Sequence, residues 1–173
     1  LVKAFTNPDL CGITEDLVLM EPYTDCFHRN HVYPPNEEFI QKEVYGDQAL
    51  CLEAAKLKFN FMNNPQALIH GDLHTGSIFI NQEHTFVFDP EFAFFGPMGY
   101  DIGNMVMNLF FAWCNGEAEM EEGRKREDFL DWCMDTIADT VDLFVQKYDR
   151  VFDAYVTEPM AKMPGFKSWY LSG

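Results

Sequence analysis

The chain has 173 residues, a formal net charge of −16 and a composition that is 47% hydrophobic and 16% aromatic. This length suits one domain with a packed core, and the acidity argues against nucleic-acid binding, which needs clustered Lys and Arg. Five widely spaced cysteines without a C-x-x-C pair, no signal peptide and no apolar run of ~18 residues predict a cytoplasmic protein with reduced thiols, no zinc site and no membrane span.

The first 63 residues predict an irregular segment followed by one helix. Prolines at positions 8, 22, 34 and 35 favour irregular structure up to residue 36, with one short strand at about residues 17–20. A helix is predicted over about residues 37–63, and it should end at Asn63-Asn64-Pro65 because proline cannot continue it. Its predicted apolar stripe consists of Val44, Cys51, Leu52, Ala55, Phe59 and Met62.

Two short apolar runs, residues 78–80 and 86–88, predict a β-hairpin with its connection at residues 81–85. The stretch HGDLHTGS, residues 70–77, lies directly before the first strand, and Asp89-Pro90-Glu91 lies directly after the second. Because the two outer ends of a hairpin lie together, we expect these two polar motifs to be neighbours.

The rest of the chain is predicted to be helical. Asp101 is a candidate N-cap for an apolar helix that ends near Trp113. An amphipathic helix is predicted over residues 127–148, with further helix near residues 150–160. The chain is therefore predicted to be α+β and mostly helical, with a short β-hairpin that carries both polar motifs. Trp169 is expected to be a packing residue, with a place over the substrate pocket as the alternative.

The two polar motifs match the parts of a kinase active site in the correct order. HGDL at residues 70–73 occupies the first four places of the kinase catalytic-loop pattern H-R-D-L-x-x-x-N, and Ser77 stands in place of the final Asn. Asp89-Pro90-Glu91 follows the hairpin, where kinases carry the metal-binding D-F-G. Phosphoryl transfer needs one carboxylate for the attacking hydroxyl and another for Mg²⁺. The order of acid, hairpin and acid therefore predicts phosphoryl transfer to a hydroxyl group.

Five residues are assigned direct roles by this comparison. Asp72 is predicted to bind the acceptor hydroxyl and to act as the catalytic base, mainly by positioning, because an aspartate in water is ionised at neutral pH. Asp89, Pro90 and Glu91 are predicted to bind ATP, with Asp89 as a ligand of Mg²⁺, which prefers carboxylate oxygens. Ser77 offers the metal only a hydroxyl, and the hypothesis is that Glu91 supplies the ligand that an Asn would have given.

Three further side chains are predicted to support the site. His70 is expected to hold the loop in place. His74 is expected to hydrogen-bond the backbone near the metal site, with contact to a phosphate as the alternative. In kinase-like folds, an acid at the place of Asp101 braces the catalytic loop through backbone N–H groups, and the same role is expected here.

These motifs, together with FTNPDLCGITEDLVLMEPY at residues 5–23 and DPEFAFFGPMGYDIG at 89–103, resemble the methylthioribose kinase family. That family belongs to the aminoglycoside- and choline-kinase branch of the protein-kinase-like fold. Ser77 and Glu91 depart from the wider kinase pattern as this family does. The resemblance implies ATP- and Mg²⁺-dependent phosphorylation of the anomeric hydroxyl of 5-methylthioribose, in methionine salvage. It also suggests a homodimer, although no interface signature is visible.

The parts of a kinase that clamp the nucleotide are missing from this sequence. There is no G-x-G-x-x-G and no V-A-I-K-like lysine, and the first residue is leucine rather than methionine. We therefore expect residues 1–173 to be the C-terminal catalytic and substrate lobe. The resemblance implies an N-terminal nucleotide-clamping lobe before it and a basic helical segment after it. The fragment alone is expected to be inactive.

Three other functions remain open at this stage. The protein could be another small-molecule kinase of the aminoglycoside or choline type, or a non-catalytic kinase-like scaffold. A metal-dependent phosphoesterase is the third alternative, because G-D-x-H also occurs in two-metal hydrolases. Such sites need further histidine ligands, and the chain has no histidine after His84.

Overall fold

The protein is described over residues 5–172 of a computed structural model. The chain divides into two compact units, Leu1–Met105 and Val106–Gly173. Most of the described chain is helical, and its strands form two small antiparallel sheets. The prediction of a mostly helical α+β chain is therefore confirmed.

The first unit begins with two helices, α1 (Pro8–Leu17) and α2 (Glu21–Thr24), so the expectation of irregular structure with a short strand was wrong. Each helix has a proline in its first turn. Proline is favoured there because the N–H that it lacks would have no partner within the helix. The prolines at positions 8 and 22 therefore start helices instead of excluding them.

The predicted helix over residues 37–63 is divided into α3 (Glu37–Ile40), a π-helical turn (Gln41–Tyr45) and α4 (Gln48–Asn63). Asp47 caps α4, because its carboxylate accepts hydrogen bonds from two N–H groups of the first turn. The helix ends at Asn63, as predicted. Its buried residues are Ala54 and Phe61, however, so the predicted apolar stripe was wrong.

The strands form one hairpin inside another. β2 (Ile78–Ile80) pairs with β3 (Thr85–Val87), which confirms the predicted hairpin. β1 (Ala67–Ile69) pairs with β4 (Phe94–Gly96), a sheet that the sequence analysis did not anticipate. Residues 70–77 therefore connect the outer sheet to the inner sheet, and residues 88–93 return from the inner sheet to the outer one.

The core of the first unit fixes the outer sheet. Phe61 of α4, Ile69 of β1 and Phe94 of β4 are buried together, and the Phe61 and Phe94 ring centroids are 5.4 Å apart. Burial of such a side chain stabilises the fold by about 1.5–3 kcal/mol. Ile69 directly precedes the 70–77 loop and Phe94 directly follows the 88–93 loop. The core therefore anchors one end of each loop.

Three α-helices follow β4 in the described chain: α5 (Gly99–Glu119), α6 (Arg124–Tyr155) and α7 (Phe166–Ser172). Asp101 lies in the first turn of α5 and is not its N-cap, and α5 continues past the predicted end near Trp113. α6 is longer at both ends than the predicted 127–148. Trp169 lies on α7 and is 67% exposed. No helix within residues 5–172 has the length and apolarity to cross a membrane.

Candidate active site

The two motif loops are held against each other by hydrogen bonds. The Nε2 atom of His70 lies 2.9 Å from the carbonyl oxygen of Phe88. The backbone N–H of Phe88 donates to the carbonyl oxygen of Ser77 at 3.1 Å. Phe88 directly precedes Asp89, so both ends of the first loop are tied to the start of the acidic motif.

The loops also approach each other closely at Gly71. This glycine has a φ of +84°, and a Cβ atom built on it would lie 2.3 Å from the carbonyl oxygen of Phe92. Any other residue would strain the backbone and collide with it. Gly71 precedes Asp72, and Phe92 follows Glu91. The structure therefore places the loops that carry these two acids in backbone contact.

Asp101 braces the 70–77 loop from the first turn of α5. Its Oδ2 atom accepts a hydrogen bond from the backbone N–H of His70 at 2.6 Å, and its Oδ1 atom accepts one from that of Gly71 at 3.1 Å. Hydrogen bonds to an ionised acceptor are about twice as strong as neutral ones. The brace fixes the backbone immediately before Asp72.

The His70 ring joins the backbones of the two motifs. The N–H of Asp72 donates to Nδ1 of His70 at 3.4 Å, which assigns the ring proton of the neutral histidine to Nε2. The Nε2–H group of His70 then donates to the carbonyl oxygen of Phe88. One imidazole therefore links the backbone of Asp72 to the residue that precedes Asp89.

His74 caps the short 3₁₀ turn Thr75–Ser77. Its Nδ1 atom accepts a hydrogen bond from the backbone N–H of Gly76 at 3.1 Å. Its Nε2 atom lies 3.7 Å from Oδ2 of Asp72. The ring therefore contacts the backbone on one side and faces the Asp72 carboxylate on the other.

Ser77 is turned towards the interior of its loop. It is 5% exposed, and its hydroxyl donates to the carbonyl oxygen of Asp72 at 3.4 Å. This hydrogen bond joins the end of the loop to the backbone of Asp72. The role of Ser77 as a metal ligand stays a prediction.

The acidic motif at residues 89–91 is exposed, and its first residue has an unusual backbone conformation. Asp89 has a φ of 64°, in the left-handed region, which an aspartate tolerates better than most residues but which still costs free energy. Strained conformations of this kind cluster at functional sites. Within residues 5–172 no group of three or more His, Cys, Asp or Glu side chains could hold a metal by itself.

A depression of about 130 Å³ opens beside Asp72. Apolar side chains from α1 form part of its wall, and Thr14 and Tyr100 add hydroxyl groups. Burial, followed by the nearby Asp72 carboxylate, raises the pKa of the Tyr100 hydroxyl, against the effect of its hydrogen bonds with Asn104 and Thr14. Tyr100 is therefore a neutral hydroxyl near the candidate base.

The sequence analysis missed Thr14 and Tyr100. Thr14 lies on α1, a helix that was not predicted, so no signal placed it near the site. Tyr100 directly precedes Asp101 in the first turn of α5, and that adjacency was the available signal.

Taken together, these features define the class of protein. A carboxylate on a braced loop, beside a second acidic loop at the end of a hairpin, is the arrangement that phosphoryl transfer uses. Residues 6–136 match the phosphotransferase enzyme family (APH). This match covers more than half of the chain, and the chain belongs to that family.

The most informative relatives are methylthioribose kinases. The chain is 37% identical to the methylthioribose kinase of Escherichia coli O45:K1 (strain S88) over 147 residues. These residues cover 85% of the chain and 35% of the relative. It is 38% identical to that of Geobacillus thermodenitrificans over 165 residues, which cover 95% and 39%. Methylthioribose kinase 1 of Oryza sativa subsp. japonica is 38% identical over 149 residues, which cover 86% and 34%. The chain thus spans less than two fifths of the length of these relatives.

Proposed function

We propose that this chain forms the catalytic part of an ATP-dependent sugar kinase that converts 5-methylthioribose to 5-methylthioribose 1-phosphate. One observation gives the main support for phosphotransferase chemistry. Asp101 braces the backbone before Asp72, and the same loop contacts the 88–93 loop at Gly71. The choice of sugar is supported by the names of the relatives and by the motifs at residues 70–77 and 89–91.

Asp72 is the proposed catalytic base. Its carboxylate orients the anomeric hydroxyl and takes the proton as the hydroxyl oxygen bonds to the γ-phosphorus of ATP. The bond from that phosphorus to the β–γ bridging oxygen breaks, ADP leaves, and Asp72 later releases the proton to water. General bases contribute roughly 10²–10⁴-fold to such reactions, and fixed positioning contributes as well.

Asp89 and Glu91 are the proposed ligands of Mg²⁺, with Pro90 fixing the backbone between them. Two exposed carboxylates fit this metal, because Mg²⁺ is commonly held by one or two carboxylates together with phosphate oxygens and water. When bound, Mg²⁺ neutralises charge on the phosphates of ATP. Ser77 is the remaining proposed contributor, through its hydroxyl.

The depression beside Asp72 supports an acceptor that is partly apolar. Ile13, Leu17 and Val18 contribute apolar surface, and Thr14 and Tyr100 contribute hydroxyl groups. A sugar with an apolar substituent at one end has matching chemistry. We propose that the acceptor is bound here, with one of its hydroxyl groups towards Asp72.

The organisation of the whole protein is also a proposal. We propose that residues 1–173 are the catalytic and substrate lobe, that a separate lobe clamps the nucleotide, and that the protein is a cytoplasmic homodimer. The cysteines support a reducing compartment, since all five are free thiols. Light scattering of the full-length gene product tests the dimer, and a monomer would contradict it.

The function is tested by ADP release from the full-length gene product with Mg²⁺-ATP. 5-Methylthioribose, choline and an aminoglycoside are offered in parallel, with Asp72→Ala as the variant. We expect turnover of methylthioribose alone and its loss in the variant. Turnover of another acceptor would retain the chemistry and reject the sugar, and ATP binding without turnover would favour the scaffold.

A further inference from the structure

The His74 ring is held in one tautomer by the turn that it caps. The N–H of Gly76 donates to Nδ1 at 3.1 Å, so Nδ1 must be the unprotonated nitrogen. The proton of the neutral ring therefore lies on Nε2. That nitrogen is 3.7 Å from Oδ2 of Asp72, which can only accept when ionised.

Gly76 also fixes where the ring lies. A Cβ atom at this position would be 2.8 Å from Cε1 and 2.9 Å from Nδ1 of His74. The imidazole therefore occupies the space that any larger residue at position 76 would need. The backbone N–H and the missing side chain of one glycine together set the direction of the Nε2–H group.

We propose that His74 is a positioning residue for Asp72, a role that rests on the proposed function of Asp72 as the catalytic base. The Nε2–H of His74 holds Oδ2 of Asp72 and leaves Oδ1 to face the acceptor hydroxyl. The ring exchanges no proton with substrate. The gap must close by about 0.7 Å to reach normal hydrogen-bond length, and catalytic hydrogen bonds commonly tighten when substrate binds.

Two substitutions separate this role from simple capping. In His74→Asn the amide oxygen replaces Nδ1, so the cap is kept, but no donor reaches Asp72. In His74→Gln the amide nitrogen replaces Nε2, so the donor is kept and the cap is weakened. We expect kcat to fall about tenfold in His74→Asn and about threefold or less in His74→Gln, with the KM for ATP unchanged in both. His84→Asn, at an exposed histidine, is the matched control.

The opposite order of the two variants would overturn the proposal, because a histidine that only caps the turn is replaced better by Asn than by Gln. Wild-type kcat in His74→Asn would overturn it as well. Thermal unfolding of each variant separates loss of folded protein from loss of kcat.

Gly76→Ala provides a second test in which neither His74 nor Asp72 is substituted. The added methyl group must displace the ring, so we expect kcat to fall about as far as in His74→Asn. In the His74→Asn background the same change should have little further effect, because the ring is already absent. An equal fall in both backgrounds would show that Gly76 acts independently of His74 and would overturn the proposal.

The tautomer can be measured without any turnover. In ¹⁵N-labelled full-length protein at about pH 8, where free imidazole is neutral, we expect the His74 signals of a ring protonated at Nε2. The Nδ1-protonated tautomer would contradict the proposal. If the protein proves inactive on methylthioribose, the proposed function fails, and this spectrum still tests whether the His74 ring carries its proton on Nε2, the nitrogen that lies nearest to Oδ2 of Asp72.

Discussion

The backbone of Gly71 lies so close to Phe92 that a Cβ atom on the glycine would be 2.3 Å from the phenylalanine carbonyl oxygen. This approach joins the loop that carries Asp72 to the loop that carries Asp89 and Glu91. A kinase-type site needs its base and its metal ligands on surfaces that do not move apart. In the proposed site, we expect the backbone contact between Gly71 and Phe92 to keep the two loops together, at the position where the kinase pattern has an arginine.

Gly71→Ala should therefore damage both the fold and the site. A non-glycine residue at positive φ costs about 1–2 kcal/mol, and the collision with Phe92 adds to this cost. We expect the free energy of unfolding to fall by at least ~2 kcal/mol and activity to be lost. Denaturant unfolding of the full-length protein measures the first effect.

Gly103→Ala is the matched control for this substitution. Gly103 lies within α5, and a Cβ built on it meets no heavy atom within 4 Å apart from its chain neighbours and the backbone of its own helix. Alanine in a helix is favoured over glycine by up to ~1 kcal/mol, so stability should be equal or higher. If Gly71→Ala were as stable as Gly103→Ala, the close contact with Phe92 would not exist in the protein.

Asp101→Asn should weaken the brace without changing side-chain size. One oxygen remains to accept from the N–H groups of His70 and Gly71, while the new amide donors face one of them. We expect the free energy of unfolding to fall by about 1–3 kcal/mol and kcat to fall at least ~10-fold. Asp135→Asn, at an exposed position on α6, should change neither quantity. An unaffected kcat in Asp101→Asn would show that the hydrogen bonds from His70 and Gly71 to Asp101 do not position Asp72 for activity.

The acidic motif should control the Mg²⁺ requirement. Asp89→Asn keeps a residue that tolerates the observed φ of 64°, so the fold should be retained while the charge is lost. We expect activity to fall at least ~100-fold, and we expect Glu91→Gln to require about tenfold more Mg²⁺ for half-maximal rate. Initial rates over a range of Mg²⁺ concentrations measure both. An unchanged Mg²⁺ dependence in Glu91→Gln would show that Glu91 is not a ligand.

Tyr100 should make stability depend on pH in alkaline solution. Burial raises the pKa of its hydroxyl above the ordinary value of ~10, which the unfolded chain keeps. As pH rises from ~10 to the folded-state pKa, the unfolded state loses the proton first, so the free energy of unfolding falls. Below pH ~10 the Tyr100 hydroxyl is protonated in both the folded and the unfolded state, so its contribution to the free energy of unfolding is fully present.

Tyr100→Phe should remove this part of the pH dependence. Burial also raises the pKa values of Tyr148 and Tyr170, so the comparison with the variant is needed to isolate Tyr100. Urea unfolding of both proteins at several pH values above and below ~10 measures the difference. Parallel curves for the two proteins would contradict the buried position of Tyr100.

Local signals in the sequence were sufficient for the hairpin and for the end of α4. The alternation of short apolar runs and a polar connection predicted the pairing of β2 with β3, and Pro65 predicted that α4 ends at Asn63. The placement of the Asp72 loop and the Asp89 loop at the two outer ends of that hairpin then followed. Each of these features depends on residues that are close together in the chain.

Features that depend on distant residues were not predictable in the same way. The pairing of β1 with β4 joins Ile69 to Phe94 and Ala67 to Gly96, which are distant in the chain, and no turn signal marks it. Contact with Phe94 and Ile69 determines which face of α4 is buried at Phe61, while Leu52, Phe59 and Met62 of the same helix remain exposed. The approach of Gly71 to Phe92 depends on the same outer sheet.

The most direct test of the central claim is ³¹P NMR of the reaction product. The full-length gene product is incubated with Mg²⁺-ATP and 5-methylthioribose, beside the Asp72→Asn variant, which retains the shape of the side chain. We predict ADP and an organic phosphate signal coupled to the anomeric proton for the wild type, and neither for the variant. Inorganic phosphate as the only product, or equal product formation by the variant, would contradict the assignment of Asp72 as the base of a sugar kinase.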